Sequence, residues 1–252
     1  MKQGLYDQLS VEIYENRCLM GQAAARDIRE TMLQLLVQKE TINMIFAAAP
    51  SQNDVLAALV TDPAIPWHRV NAFHMDEYVN LPGTAPQGFA NFLREHLFEK
   101  VSFRSVNCLN SESADPQGEC DRYAALLAAN PTDIVVLGIG ENGHIAFNDP
   151  DVADFRDPDA VKIVALDAVC RQQQVNDGCF DCIEAVPTHA ITLTVPTLTK
   201  APHLFCIVPG PTKAKAVRQT LCGPVSEVCP ATILRQHQGA TLYLDEESGA
   251  LL

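Results

Sequence analysis

DIVVLGIGENGHIAFNDP, residues 133–150, decides the fold of this chain. Its apolar, β-branched run Ile134-Val135-Val136-Leu137 meets glycines at positions 138, 140 and 143. A continuous apolar strand of this kind is buried on both faces, as in a parallel sheet covered by helices. The glycine turn then delivers Asn142, His144, Asn148 and Asp149 to the carboxyl edge of that sheet, where open α/β sheets place their ligands. Gly138-x-Gly140-x-x-Gly143 also has the spacing of a dinucleotide-binding turn, but that turn opens a long helix. Pro150 leaves no room for one, and the nucleotide reading is rejected.

Working outward, strands are expected at Leu9–Ile13, Asn43–Ala48, Arg69–His74, Val161–Leu166, His189–Thr194, Leu204–Val208 and Thr241–Leu244. Between them fall helical patterns. One starts after an Asn16 cap and runs to about Gln38, with an apolar stripe of Met20, Ala24, Ile28, Met32 and Leu35. Others cover Ser51–Val60, Gln87–Glu99 and Glu119–Ala129, and further helices begin near Asp167 and Pro211. Strands alternating with helices imply an α/β fold with a doubly wound, mostly parallel sheet flanked by helices, Rossmann-like in build. No repeat, linker or low-complexity tract interrupts the pattern, so a single domain over 1–252 is expected.

Composition narrows the function. Apolar residues are 47% and charged residues 19%, which suits a globular chain rather than a disordered one. The N-terminal stretch lacks an apolar signal region and no run is long enough to span a bilayer, so a cytoplasmic protein is expected. The net charge of −13 argues against nucleic-acid and anionic-membrane partners. It also means that an anionic substrate must be gripped by a few local cations. Nine scattered cysteines in such a chain read as reduced thiols; Cys179-x-x-Cys182 stands as one pair without a second, and no metal site is assigned to it.

A second polar cluster, Asp76-Glu77-Tyr78, follows the Arg69–His74 strand. Adjacent carboxylates at a strand end are costly to bury, so they suggest a general base beside the His144 turn, with a solvated loop capped by Asp76 as the alternative. Three helix starts look like parts of an anion site. Pro50-Ser51-Gln52-Asn53-Asp54 resembles a capping box whose Ser51 hydroxyl can serve a ligand. Arg171 and Lys213 each sit in a first turn, where a cation opposes the helix dipole and needs another reason to be there. A phosphate would supply that reason.

The segments FHMDEYVNLP (73–82) and LGIGENGHIAFNDP (137–150) closely resemble the two signatures of the glucosamine-6-phosphate deaminases, also called isomerases. The resemblance extends in order from the Asn16 helix to Asp245 and includes VCRQQQV (169–175) and VPGPTKAKAV (208–217). It implies conversion of glucosamine 6-phosphate, or its galacto epimer, to a ketose 6-phosphate and ammonia, without metal or other cofactor. By that resemblance Asp76 is the base between C2 and C1, His144 opens the sugar ring, and Asp149 partners His144 with Asn142 beside it. Ser51, Arg171 and Lys213 match phosphate ligands, and Glu77, Gly140 and Gly143 complete the expected substrate-contacting set.

Three departures from the family pattern stand out. Ala48-Ala49-Pro50-Ser51-Gln52 replaces a Thr-Gly-rich phosphate loop and keeps only one hydroxyl. Asn142 stands where many members have aspartate, and Asp149 is one methylene shorter than the usual glutamate. The rival functions are a lactone hydrolase of the sister 6-phosphogluconolactonase group and a non-catalytic sugar-phosphate sensor. Oligomeric state is open.

Overall fold

The computed structural model describes residues 2–176 and 178–252. In chain order the strands are β1 Lys2–Tyr6, β2 Leu9–Tyr14, β3 Ile42–Phe46, β4 Val70–His74, β5 Asp76–Tyr78, β6 Ser105–Asn107, β7 Ile134–Leu137, β8 Val161–Ala165, β9 His189–Leu193, β10 His203–Val208 and β11 Ala240–Asp245. The helices are α1 Arg17–Gln38, α2 Asn53–Val60, α3 Phe89–Leu93, α4 Pro116–Ala129, α5 Ala168–Asn176, α6 Val195–Thr199 and α7 Ala214–Cys222.

The large sheet has the order β1-β2-β11-β10-β7-β3-β4-β6 and is parallel except for the β1–β2 pair. β7 lies between β3 and β10, with Met44 and His203 both in register with Ile134. That central place explains its unbroken apolar run. Ile134 and Val136 face one core with Met44, Phe46 and Ile207; Val135 and Leu137 face the other with Ile45, Phe73 and Cys206. α1 and α2 cover the first face, α4 and α7 the second. Each fully buried Val, Leu or Ile of these layers contributes roughly 1.5–3 kcal/mol against solvent exposure.

From β3 the chain winds outward through β4 and β6, then returns through β7 to the other side of β3. The loops after β3 and β7 therefore leave the sheet in opposite directions. Such a switch point opens a crevice at the carboxyl edge.

Most expected elements are present, and Asn16 caps α1 by accepting from the Leu19 amide at 3.0 Å. Leu36 rather than Leu35 completes the buried stripe of that helix. The helix expected over 87–99 is α-helical only in α3 and then widens into a π turn at Arg94–Phe98. The expected capping box at Ser51 does not form. A 3-10 turn, Pro50–Gln52, precedes α2, and Asp54 turns away to Arg17.

The larger difference concerns β8 and β9, expected in the main sheet. They instead form a separate antiparallel sheet, order β5-β9-β8, in which Asp76 pairs with Thr192 and Val161 with Leu193. Alternation of apolar residues marks a strand but not its partner, so sequence periodicity could not assign them. Between β4 and β5 the chain changes sheet at Met75.

One polar lock holds β4 and β6 against α4. The buried Tyr123 hydroxyl accepts from the His74 amide at 3.0 Å and donates toward the carbonyls of His74 and Asn107. His74 is itself fully enclosed, which lowers its pKa to about 3, and it accepts from the Leu109 amide through Nε2. Tyr123→Phe leaves the His74 amide without that partner, so unfolding free energy should fall by about 1–3 kcal/mol in a denaturant titration. A change below about 0.5 kcal/mol would show that the hydroxyl does not carry this lock.

Candidate active site

The loops after β3, β4, β7 and β10 surround a cleft of about 250 Å3 at the carboxyl edge of the large sheet. Asp76, His144, Ser51, Gly140 and Lys213 of the expected set line it. Asn142 and Asp149 stand behind His144, while Glu77, Gly143 and Arg171 lie outside the lining.

His144 is held at Nδ1 by two acceptors, Asn142 Oδ1 at 2.8 Å and Asp149 Oδ1 at 3.0 Å. Asn142 closes the triangle: its Nδ2 donates to Asp149 Oδ1 at 2.8 Å, and its Oδ1 also accepts the His144 amide. With acceptors on Nδ1, the proton belongs there and Nε2 is the working nitrogen. Burial would raise the Asp149 pKa. Hydrogen bonding and charge from His144, with help from Asn142 and Cys170, instead bring it below the ordinary carboxylate value. Asp149 is therefore an anion at neutral pH, suited to orient an imidazole. Asn142 shares that task despite having no charge.

His144 and Cys229 account for two glycines of the turn. A Cβ on Gly140 would come within 2.1–2.3 Å of the His144 ring atoms, so the imidazole lies directly over that residue. Gly143 has φ +86, and a Cβ there would strike Cys229 Sγ at 2.5 Å. It accepts from the Ala231 amide at 2.8 Å and does not line the cleft. Gly143 is thus required by the turn itself. His144, Asp149 and Cys170 also offer N, O and S atoms within 4.8 Å of one another, a donor set of the zinc type. Cys179 and Cys182 are not part of it.

Asp76 and Glu77 are neighbours on β5 and point to opposite sides of the strand. Asp76 faces the cleft. Burial, with the adjacent Glu77 charge, pushes its pKa well above the usual carboxylate range. Glu77 faces away and accepts the amides of Tyr78, Phe89 and Ala90 at 2.9–3.1 Å, capping α3. In this structure these amides engage both oxygens of Glu77, which acts as the cap of α3.

Arg171 likewise lies outside the cleft lining. Its Nη2 donates to the carbonyls of Ile183 at 2.6 Å and Val186 at 3.0 Å, which ties α5 to the following loop. The Asp167 cap itself is present, accepting from the Cys170 amide at 2.5 Å. Lys213, by contrast, is buried beside the turn it was expected to mark. That turn is set by Gly210, at φ +90, whose amide donates to both oxygens of buried Asp245 at 3.0 and 3.1 Å.

Several lining residues were not anticipated. Gln52 is fully buried and donates to Ser51 Oγ at 3.0 Å and the Ile207 carbonyl at 3.2 Å. Phe89 and Phe147 stack, with ring centres 5.5 Å apart, as an apolar wall. Arg17, the first residue of α1, also reaches the cleft. Its signal was present: a cation in a first turn against the dipole, the same anomaly that marks Arg171 and Lys213.

A family model described as glucosamine-6-phosphate isomerases/6-phosphogluconolactonase matches residues 15–243. The glucosamine-6-phosphate deaminase of Bacillus thuringiensis (strain Al Hakam) is 42% identical over 183 residues, covering 73% of this chain and 68% of the relative. That of Bacillus cereus (strain AH820) has the same values. Among solved structures, a monomeric glucosamine-6-phosphate deaminase superposes with TM-score 0.87 and 27% identity, over 96% of this chain and 99% of the other. A 6-phosphogluconolactonase from Trypanosoma brucei shares the fold at TM-score 0.78 and 18% identity, over 96% of this chain and 98% of the other. With the match spanning most of the chain and including both polar segments of the cleft, the protein belongs to the glucosamine-6-phosphate isomerase/6-phosphogluconolactonase family.

Proposed function

We propose that residues 1–252 form a single sugar-phosphate isomerase/deaminase domain. It acts in the cytoplasm as a hydrolytic deaminase on glucosamine 6-phosphate, or its galacto epimer. The carrying observation is that Asp76, with its raised pKa, and His144, held at Nδ1, line one cleft together with Ser51 and Lys213. The 42% identical relatives named glucosamine-6-phosphate deaminase support the same reading. Among the described residues no helix is long and apolar enough to cross a membrane.

In this mechanism Lys213 and Ser51 hold the phosphate and fix the sugar in the cleft. His144 Nε2 takes the proton of the C1 hydroxyl and returns one to the ring oxygen, opening the pyranose. Asp76 removes the C2 proton of the open-chain aldose and delivers it to C1, while a proton passes from the C2 ammonium to the C1 oxygen, leaving a protonated ketimine at C2 and a hydroxyl at C1. Water adds to that carbon and ammonia leaves, giving the ketose 6-phosphate. A base near its working pH is the efficient one, and burial moves Asp76 in that direction. Phe89 and Phe147 keep one side of the cleft apolar, which preserves that basicity. Lactone hydrolysis would need only activated water from His144 and would leave Asp76 without work.

The discriminating assay follows ammonia and ketose phosphate from glucosamine 6-phosphate against hydrolysis of 6-phosphogluconolactone. Ammonia release with negligible lactonase activity is expected, and the reverse would overturn the proposal. Asp76→Asn should cut kcat at least about 100-fold with little change in KM, the contribution of one general base. Retention of more than about a tenth of wild-type kcat would remove Asp76 from that role.

Asp76 also has a signature in stability. Its pKa is higher folded than unfolded. Between those two values the native protein keeps a proton that the unfolded chain has lost, so stability falls as pH rises through that window. Asp76→Asn removes this penalty. Relative to wild type, the variant should gain stability as pH rises above about 4, the unfolded aspartate value, measured by denaturant titration at several pH values. A wild-type-minus-variant difference that is flat with pH would contradict the raised pKa.

A further inference from the structure

The anion corner of the cleft is one cation short of expectation, because Arg171 is turned to the Ile183 and Val186 carbonyls. Arg17 stands at that corner instead. It lines the cleft with Pro50, Ser51 and Lys213. Its Nε pairs with Asp54 at 2.6 Å, and its Nη2 donates to the Pro50 carbonyl at 3.0 Å. Nη1 takes part in neither bond. The side chain is 48% exposed and Asp54 26%, so the pair itself adds little stability. Its effect is geometric, since two bonds fix the direction of a long side chain.

The placement is built into α1. Gly21 lies one turn after Arg17 on the same helix face. A Cβ on Gly21 would meet Asp54 Cβ at 2.6 Å, the Asp54 carbonyl carbon at 2.9 Å and the Val55 amide nitrogen at 3.0 Å. Two of these are backbone atoms, which cannot swing aside. Glycine therefore lets α1 lie directly on the start of α2. That contact brings the first residue of α1 against the Ala49-Pro50-Ser51 loop, the segment that departs from the family's Thr-Gly pattern.

The geometry points to Arg17 as the second phosphate cation of this enzyme, oriented by Asp54 and the Pro50 carbonyl, in the place expected of Arg171. A loop with fewer hydroxyls and no glycine has lost donors for a phosphate, and a guanidinium supplies them with a fixed charge. In a chain of net charge −13, a second cation lining the same cleft as Lys213 also offsets the surrounding field. This inference rests on the sugar-phosphate reading, from which it takes its ligand.

Two readouts separate the inference from that reading. In the first, inorganic phosphate is titrated into free wild-type protein and into Arg17→Ala by calorimetry, an experiment that needs no turnover. In the second, kcat and KM are measured for ammonia release from glucosamine 6-phosphate. Arg17→Ala should weaken phosphate binding and raise KM about tenfold, with kcat falling less than KM rises. Arg17→Lys should recover part of the loss, since it keeps the charge but not the fork. Arg17→Ala/Asp54→Asn should stay as weak as Arg17→Ala. Recovery in that double variant would mean that the freed Asp54 charge, not a lost cation, caused the effect, and would overturn the inference. Phosphate affinity and KM within twofold of wild type in Arg17→Ala would overturn it as well. Absence of ammonia release by the wild-type protein would instead refute the deaminase reading and leave the phosphate titration valid.

Discussion

Everything in the cleft depends on one strand that never enters the large sheet. β9 pairs antiparallel with β5, so Asp76 is locked in register with Thr192. The buried Thr192 hydroxyl accepts the Phe147 amide at 3.1 Å, three residues beyond His144. One position further, the Leu193 carbonyl accepts from Asn148 Nδ2 at 2.9 Å, and that amide also bonds the Ile145 carbonyl. The base lies on β5, just after β4, and the imidazole follows β7; β4 and β7 are not neighbours in the large sheet. β9 is what fixes their spacing. Precision at that level is what orientation-based catalysis requires, because small displacements are costly.

This brace also accounts for the local strain. Ala146, in the cleft wall, takes φ +51, a left-handed conformation that an ordinary side chain adopts reluctantly. It sits between Ile145 and Phe147, which are both tied, the first by Asn148 and the second by Thr192. The strain is held in place from both sides, as expected where a turn must aim a side chain.

The sequence carried the large sheet because β7 is apolar throughout and its neighbours β3 and β10 are apolar but for Asn43 and His203, in runs too short for helices. It carried Asp76, His144, Asp149 and Lys213 because polar groups at strand ends or opposed to a helix dipole are costly without a purpose. The smaller sheet was not legible, since β5 is three residues long and its partner lies more than a hundred positions away. The opposite facing of Asp76 and Glu77 was hidden with it, since adjacent side chains alternate sides once the segment is known to be a strand. The bonds of Arg171 to the Ile183 and Val186 carbonyls were not legible, because sequence spacing does not reveal whether a cation near a helix start meets a ligand or a carbonyl. Arg17 was legible by the dipole rule and was passed over because it precedes every motif.

Asp76 and Glu77 show how the fold divides two identical charges between two roles. Both are buried, and burial raises both pKa values. Glu77 recovers much of that cost through the amides of Tyr78, Phe89 and Ala90. It holds the start of α3, whose first residue, Phe89, forms part of the cleft wall. Among the described residues Asp76 has no such set of donors, so its carboxylate is poorly solvated and correspondingly basic. The Glu77 charge beside it adds to the effect. A residue that never touches the cleft thus raises the basicity of the one that does. The adjacency that made Glu77 look catalytic is the means by which it serves Asp76.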